Sequence, residues 1–163
     1  MIYSYLKRLQ QSVRINNTYS GFLDIVSGVP QGPVVGPILF NFYINDLFHF
    51  IKQATIHNYP DNNTLSYFSM KLPHLISVLE DESDVALDWL ESNQMIAKPD
   101  KFHVLIVKKD QTKTLSEKIC IKGNEIHTES TVKLLGVKLD HKLNFDTHIS
   151  DLCNKAATQL DVL

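Results

Sequence analysis

Cysteine is scarce in this sequence, with only Cys120 and Cys153 among 163 residues. The two are far apart and form no CxxC pattern, which argues against a disulfide framework and against a zinc site. We therefore expect ordinary buried thiols in a reducing compartment, which means an intracellular location in the nucleus or cytoplasm. The seven histidines are scattered, and none forms a ligand pair with a cysteine.

Long apolar runs and an excess of one charge are also missing. No stretch approaches the roughly 18 apolar residues that a membrane-spanning helix requires. The first residues, MIYSYLKRLQQ, lack the apolar core of a signal peptide, so neither secretion nor a membrane partner is predicted. The formal net charge is -2, so no strong global field attracts nucleic acid, although a local basic face is still compatible with it.

What the sequence does have is the composition of an ordinary globular domain, with 44% apolar and 21% charged residues. Hydrophobic periodicity and turn residues divide it into short elements. The predicted helices are 2–10, 38–51, 73–92 and 146–163, and the predicted strands are 12–15, 22–26, 54–59, 64–68, 103–107, 118–121, 125–127 and 132–139. Helices and strands are mixed without regular βαβ alternation, so we predict an α+β fold.

Two of the predicted helices are amphipathic. Helix 73–92 has an apolar stripe and an acidic face that we interpret as solvated, with a metal site as the weaker alternative. The residues of that acidic face are Glu80, Asp81, Asp84, Asp88 and Glu91. The last helix is predicted to turn its apolar side chains inward, namely Phe145, Ile149, Leu152, Ala156 and Leu160. Trp89 and Phe102 are predicted core residues.

The stretch HNYPDNNTLS, residues 57–66, is typical of a hairpin tip that holds one carboxylate. Pro60, Asp61 and the asparagines after them are turn residues between two short apolar runs. A carboxylate at such a tip is often a metal ligand, but metal chemistry on phosphates needs more than one. These residues alone favour a polar turn, with a metal site as the alternative.

Four blocks, taken in order, resemble the reverse transcriptases of non-LTR (LINE-type) retrotransposons. SGVPQGPVVGPILFNFYINDL resembles motif B, and its PQG followed by GP-x-LF is the most specific element. HNYPDNNTLSYF occupies the place of motif C, the Tyr-Ala-Asp-Asp box. ALDWLESNQMIAKPDKFHVLIV resembles motif D, and VKLLGVKLDHKLNFDTHISDLCNKAATQL resembles motif E and the start of the thumb.

The resemblance implies a right-hand polymerase fold, of which this chain holds part of the palm (1–142) and the start of the thumb (143–163). It also implies an RNA-directed DNA polymerase whose partners are an RNA template, a DNA primer and a nucleoside triphosphate. In that family three aspartates, one in motif A and two in motif C, hold two Mg²⁺ ions through hard oxygen ligands. Motif A precedes residues 2–10 in this pattern, so we expect the fingers and the first palm strand to be absent.

The motif C block departs from the family at two positions. Asp61 matches the first aspartate, which implies a metal-binding and catalytic role, but the second position is Asn62, which has no charge to offer a divalent ion. Pro60 replaces the alanine and removes a backbone donor from the hairpin. Because one family aspartate of three is left, we expect weak or absent Mg²⁺ binding and a catalytically inactive fragment.

Other implied roles belong to single residues. Gln31 and Gly32 match the PQG loop beside nucleotide and template, where glycine allows close approach and glutamine hydrogen-bonds; a simple helix-capping loop is the alternative. Lys101 matches the motif D lysine, a candidate proton donor to pyrophosphate, or is merely a solubilising charge. The lysine cluster around it predicts at most weak nucleic-acid binding, because acidic residues among the lysines reduce its positive charge and no aromatic residues lie between them to stack on bases. That basic cluster is Lys98, Lys101, Lys108, Lys109, Lys113, Lys118 and Lys122.

Two further hypotheses stay open at this point. One is a truncated gene model of an active reverse transcriptase, and the other is a domesticated module that binds nucleic acid or protein without catalysis. An absent first palm strand would leave an open sheet edge, so we also expect marginal stability or self-association.

Overall fold

The computed structural model describes residues 6–26, 28, 35–59, 62–108 and 117–160. They belong to two compact units, the first comprising Met1–Phe48 and Asn58–Asn63 and the second His49–His57 and Thr64–Leu163. Helices are mixed with antiparallel hairpins, which is compatible with the predicted α+β class. No helix in the described ranges is long and apolar enough to cross a membrane.

The first unit contains a β-hairpin, here called the hairpin arm (residues 10–24), and each of its two sides consists of two short strands. Its strands are β1 (Gln10–Gln11), β2 (Arg14–Ile15), β3 (Thr18–Tyr19) and β4 (Leu23–Asp24), and β1 pairs with β4 and β2 with β3. The turn falls at Asn16-Asn17 as predicted, and Asn16 adopts a left-handed φ of 55°, which asparagine tolerates. The predicted helix 2–10 is wrong at its end, because Gln10 already pairs in β1; residues 1–5 lie outside the described part.

Two helices follow along the chain; the first belongs to the first unit, and the second spans the point in the sequence where the second unit begins. The predicted helix 38–51 is interrupted, with α1 (Val35–Ile44) and α2 (Leu47–Phe50) separated by Asn45-Asp46. Short side chains with an amide or carboxylate compete for backbone hydrogen bonds, which favours such a break. Ile44 and Leu47 on either side of it are each only 1% exposed. The helix is therefore interrupted between two buried side chains.

The second unit has its core where a long helix packs on a hairpin. Helix α3 (Leu72–Ser92) matches the predicted helix 73–92 and packs against β7 (Lys118–Ile121), which pairs with β8 (Asn124–His127). The predicted hairpin 118–127 is thereby confirmed. The buried cluster and the side chains packed against it are Ile119, Ile121, Ile126, Ile76, Leu79, Leu87, Phe102 and Val104. Trp89 is buried as well, so both aromatic residues predicted for the core are confirmed.

The acidic face of α3 is not simply solvated, and that prediction is corrected. Glu80 and Asp84 accept hydrogen bonds from the backbone N–H groups of Cys120 (2.7 Å) and Lys122 (2.8 Å), and Asp88 pairs with the Lys122 Nζ. Four helical residues rise about 6 Å, and two strand residues rise about 6.7 Å. Carboxylates at this spacing therefore match the alternate N–H groups of an edge strand. We call Glu80, Asp84 and Asp88 the carboxylate row.

Two predicted strands differ from the structure. The segment 132–139, predicted as one strand, is a hairpin of β9 (Thr131–Leu134) and β10 (Val137–Asp140). Leu135 and Gly136 form its turn with φ of 48° and 89°, a left-handed pair that fits a type I′ turn. The predicted strand 103–107 contributes only an isolated bridge from Val104 to Thr128.

The last helix, α4 (Asp146–Leu160), packs against β10 but leaves its apolar face open. Ile149 and Leu152 are 55% and 52% exposed, and Phe145 and Ala156 are exposed too, so their predicted inward orientation is wrong. The side chain of Leu160 lies outside the described part. Cys120 and Cys153 are free but exposed, so the expectation of buried thiols is also corrected.

The described strands pair only two by two. Besides the hairpins above, β5 (Thr55–Tyr59) pairs with β6 (Asn62–Ser66), and the described part contains five two-stranded sheets. A continuous palm sheet is therefore not formed among the described strands. One short 3₁₀ helix, Pro99–Lys101, follows α3.

Candidate functional site at the β5–β6 hairpin

The candidate site is the hairpin of β5 and β6, whose strands end and begin on either side of Pro60-Asp61. β5 runs to Tyr59 and β6 starts at Asn62, so the predicted hairpin is confirmed, with its second strand starting two residues before the expected Thr64. Tyr59 and Asn62 are both exposed. The last residue of β5 and the first residue of β6 are therefore exposed to solvent on either side of the tip.

The side-chain hydrogen bonds at the base of this hairpin are long. The Ser66 hydroxyl donates to the Thr55 carbonyl oxygen at 3.4 Å and lies 3.4 Å from His57 Nε2. Both distances are long for a hydroxyl hydrogen bond, so Ser66 and His57 do not form an activated nucleophile. Within the described residues, the buried Asn58 Oδ1 has no hydrogen-bond partner. A lone buried acceptor costs about 1–3 kcal/mol.

The structure places only part of the predicted site. Asp61, Gln31 and Gly32 lie outside the described residues, so their predicted roles stay predictions. Asn62 is the exposed first residue of β6 in the first unit. Lys101 ends the 3₁₀ helix of the second unit, where its side chain is exposed and its backbone N–H donates to the Lys98 carbonyl oxygen at 3.0 Å. Each is positioned by its own unit.

The basic cluster is partly neutralised by neighbouring carboxylates. Lys122 Nζ hydrogen-bonds Asp88, which raises the pKa of Lys122. Lys118 Nζ lies 2.6 Å from Glu125 Oε2, and this hydrogen bond lowers the pKa of the Glu125 carboxyl. Lys109 and Lys113 are outside the described residues. Two of the described lysines are thus already engaged with acids, which leaves less positive charge for a phosphate backbone.

A family model described as reverse transcriptase (RNA-dependent DNA polymerase) matches residues 1–139. This chain belongs to the reverse transcriptase family. The resemblance drawn from the four sequence blocks is therefore confirmed, and the match includes the β5–β6 hairpin, the PQG loop and the carboxylate row.

Proteins similar to this reverse transcriptase segment include RNA-directed DNA polymerases of transposons and mobile elements of Drosophila melanogaster. A probable RNA-directed DNA polymerase from transposon BS is 27% identical over 153 residues, which is 90% of this chain and 17% of that protein. The RNA-directed DNA polymerase from mobile element jockey and a probable one from transposon X-element are each 24% identical, over 93% of the chain and 17% of their own length. The chain thus spans 17% of these relatives. No solved structure matches it.

Reverse transcriptases generally use divalent metal ions. In the sequence of this hairpin the carboxylate of Asp61, which lies outside the described residues, is followed by Asn62, whose amide oxygen carries no charge, so the predicted weak or absent Mg²⁺ binding stays a prediction. In the described part of the chain, no three His, Cys, Asp or Glu side chains come together as metal ligands. We therefore derive no catalytic step through a metal from these residues.

Sequence reasoning missed two structural features of this segment. One is the carboxylate row, whose signal was the spacing of acids at every fourth residue of α3. The other is a contact in the hairpin arm, where the guanidinium carbon of Arg14 lies 5.4 Å from the ring centroid of Tyr19. Its signal was the predicted hairpin itself, because a turn at Asn16-Asn17 brings these two side chains opposite each other.

Proposed function

We propose that this chain is part of the palm (1–142) and the start of the thumb (143–163) of a retrotransposon RNA-directed DNA polymerase whose metal site is degenerate. The observation that supports it best is the β5–β6 hairpin. It carries Asn62 as the first strand residue, directly after Asp61, at the position that matches the second motif C aspartate. Templated nucleotidyl transfer is the family reaction, and this segment no longer supports it.

The physical reason is the ligand chemistry of Mg²⁺. This ion prefers hard, charged oxygen ligands and near-octahedral geometry, and two-metal catalysis holds two ions about 3.5–4 Å apart. Replacing a carboxylate by an amide removes one negative charge from a site that must balance up to four positive ones. Asp61 then binds a single ion weakly, which does not fix the second.

Three other positions have proposed roles in the family reaction. Gln31 and Gly32 would contact the nucleotide and template, and Lys101 would donate a proton to the leaving pyrophosphate. The exposed position of Lys101 at the end of the 3₁₀ helix is compatible with proton donation, because its ammonium group is accessible. RNA template, DNA primer and nucleoside triphosphate are the proposed partners, bound weakly by this segment, and the proposed location is intracellular.

The first test is metal binding by the 163-residue chain. Mn²⁺ is titrated and its binding is followed by paramagnetic relaxation of water, with wild type, Asn62→Asp and Asn63→Asp compared. We expect weak binding in wild type, a gain of about tenfold in Asn62→Asp, and a much smaller gain in Asn63→Asp. The control adds the same charge one residue along, where a strand presents its side chain on the opposite face. Equal gains in both variants would argue against a metal position shared with Asp61.

The second test is catalysis. The longest open reading frame that contains these 163 residues is assayed for templated incorporation, as wild type and as Asn62→Asp. We expect no incorporation by wild type, and incorporation by wild type in Mg²⁺ or Mn²⁺ would refute the proposal. The reciprocal change, Tyr-Pro-Asp-Asn in the motif C box of an active family member, should abolish or strongly reduce incorporation.

A further inference from the structure

The β10–α4 linker (residues 141–145) contains two residues in a strained backbone conformation. Leu143 and Phe145 have φ of 53° and 61°, in the left-handed region that bulky residues rarely adopt. Their side chains are 45% and 37% exposed, so packing offsets little of this strain. Residues in such a conformation persist only where the surrounding contacts hold them in place.

The contacts that hold the linker converge on Asp140, the last residue of β10. Its Oδ1 accepts the backbone N–H of Lys142 at 2.8 Å, and its Oδ2 accepts that of Phe145 at 2.9 Å. The Asn144 N–H donates to Oδ1 over a longer 3.4 Å, and the Leu143 N–H donates to the Asp140 carbonyl oxygen at 3.0 Å. Asp140 is only 8% exposed, so water competes weakly for these bonds. One carboxylate thus fixes the backbone on both sides of Leu143 and at Phe145.

Among the described residues, helix α4 is attached to the second unit mainly through β10 and the linker. Its apolar side chains Ile149 and Leu152 are more than half exposed, so they add little packing. Lys138 Nζ of β10 lies 2.5 Å from Asp151 Oδ2 of α4, but both side chains are more than a third exposed. Exposed ion pairs contribute little to stability. The direction of α4 therefore depends on the linker more than on the packing of the helix itself.

A change of backbone conformation at the strained residues would turn the helix as a whole. If Leu143 moved to the ordinary φ of about −60°, the chain would rotate by more than about 100° at that bond. Hinges in proteins are positions of this kind, where a few residues at the end of an element absorb a large change in φ or ψ. The helix follows at once, because the Ile149 N–H already donates to the Phe145 carbonyl oxygen at 2.9 Å.

We propose that the β10–α4 linker is a strained switch with two states and that Asp140 is its latch. In the latched state the carboxylate binds the linker N–H groups and α4 lies on β10. When those bonds are lost, Leu143 and Phe145 leave the left-handed region and α4 turns away from β10, which breaks the Lys138–Asp151 ion pair. Asp140 is a positioning residue in this switch, and the inference does not depend on the assignment of a palm and a thumb.

The test measures the distance between nitroxide labels on Cys120 in β7 and Cys153 in α4, by double electron–electron resonance on the 163-residue chain. Both cysteines are free and exposed, so no label site has to be introduced. Wild type should show one main distance, with the second state below about 10%. Asp140→Asn keeps Oδ1 but puts an amide donor in place of Oδ2, so the Phe145 N–H loses its acceptor. A lost hydrogen bond to a charged group should raise the ratio of the second state to the first at least about tenfold.

The strain is tested separately from the latch. Leu143→Val keeps Asp140 but disfavours the left-handed φ further, because β-branched residues are outliers there. It should also increase the second state, and it replaces Asp140→Asn if that variant does not fold. Leu143→Asn should have the opposite effect, because asparagine tolerates this region. Combined with Asp140→Asn, it should offset part of the change that the latch variant causes.

The matched control is Asp146→Asn, the same chemical change at an exposed carboxylate that accepts a hydrogen bond from the Asn144 side chain. It should change the ratio of the two states by less than about twofold, as surface substitutions usually do. Far-UV circular dichroism should show the same helix content in every variant, because unfolding of α4 would give a broad distance distribution instead of a second discrete one.

An unchanged distance distribution in Asp140→Asn would overturn the proposal, and so would a merely broadened one with loss of helix. An equal rise of the second state in Asp146→Asn would also overturn it, since the effect would then be one of helix charge. The same holds if Leu143→Val and Leu143→Asn shift the populations in the same direction, because the left-handed strain would then not drive the change.

Discussion

The backbone N–H of Lys122 donates a hydrogen bond to Asp84 Oδ1, 2.8 Å away across 38 positions of the sequence. Cys120 makes the same contact with Glu80 one helical turn earlier. Side chains of α3 thus take the place of a neighbouring strand along the edge of β7. An exposed strand edge invites pairing with other chains, so the carboxylate row both joins helix to hairpin and blocks this edge.

Removing one carboxylate of the row should weaken the second unit measurably. In Asp84→Ala the Lys122 N–H loses its acceptor, and we expect a loss of about 0.5–1.5 kcal/mol in the free energy of unfolding. The matched control is Asp81→Ala, an exposed carboxylate of the same helix, which should stay within about 0.5 kcal/mol of wild type. Urea unfolding of the three chains gives the comparison. Equal losses at both positions would point to helix charge rather than the hydrogen bond.

Glu82 should matter more than the row, because it is buried. It is 5% exposed, and its carboxylate accepts hydrogen bonds from the backbone N–H groups of Lys52 at 3.0 Å and Gln53 at 2.8 Å. Glu82→Ala leaves two donors without their charged partner, and hydrogen bonds to charged groups contribute about 1.5–3 kcal/mol. We expect a loss of that size in thermal and urea unfolding. Glu91→Ala, an exposed position of the same helix, is the control, and a loss of similar size there would contradict this assignment.

Asp140 should make stability depend on pH in the acid range. Burial alone would raise the pKa of Asp140, but N–H groups of Lys142, Asn144 and Phe145 stabilise the carboxylate and hold its pKa below the ordinary value. A pKa lowered in the folded state means that the stabilisation is present above the unfolded pKa of about 3.9. It is lost as the pH falls from there through the folded pKa.

The measurement is the urea midpoint between pH 3 and 7 for wild type and Asp140→Asn. The variant should be less stable at pH 7, and the difference should shrink as the pH falls toward 3. Glu125 and Asp151, whose carboxyl pKa values are lowered by Lys118 and Lys138, add pH dependence of the same sign in both chains. A difference between wild type and variant that stays constant with pH would show that Asp140 acts through packing instead.

Hydrophobic periodicity and turn residues in the sequence correctly predicted several helices and hairpins. The apolar stripe predicted helix α3, and the turn at Gly123 predicted the β7–β8 hairpin, and these two elements form the core of the second unit. The turn residues around Pro60 placed the candidate hairpin to within two residues. These succeed because periodicity and turn chemistry depend on neighbours in the chain.

Other predictions failed because they concern the packing of one segment against another that is distant in sequence. The acids of α3 form a polar face by periodicity, and nothing in their own segment shows that β7 lies against them. The apolar face of α4 was predicted inward because amphipathic helices usually bury it, yet Ile149 and Leu152 are exposed. The metal-site interpretation depended on family resemblance, since a turn with a single carboxylate has no chemical signature of its own.

The β9–β10 turn was missed because leucine is unusual at a left-handed position, and this makes it a site where stability can be gained. Leu135 has a φ of 48° and is 55% exposed, so it carries backbone strain with little packing to offset it. Leu135→Asn creates the Asn-Gly pair that type I′ turns favour. A non-glycine residue in this conformation costs about 1–2 kcal/mol, and asparagine relieves part of it. We therefore expect a gain of about 0.5–1 kcal/mol in urea unfolding, and Gly136→Ala, at φ 89°, should lose about 1 kcal/mol or more. The control Lys133→Asn puts asparagine in β9, where no left-handed φ is required, and should not stabilise; stabilisation there as well would mean that the gain is not due to turn geometry.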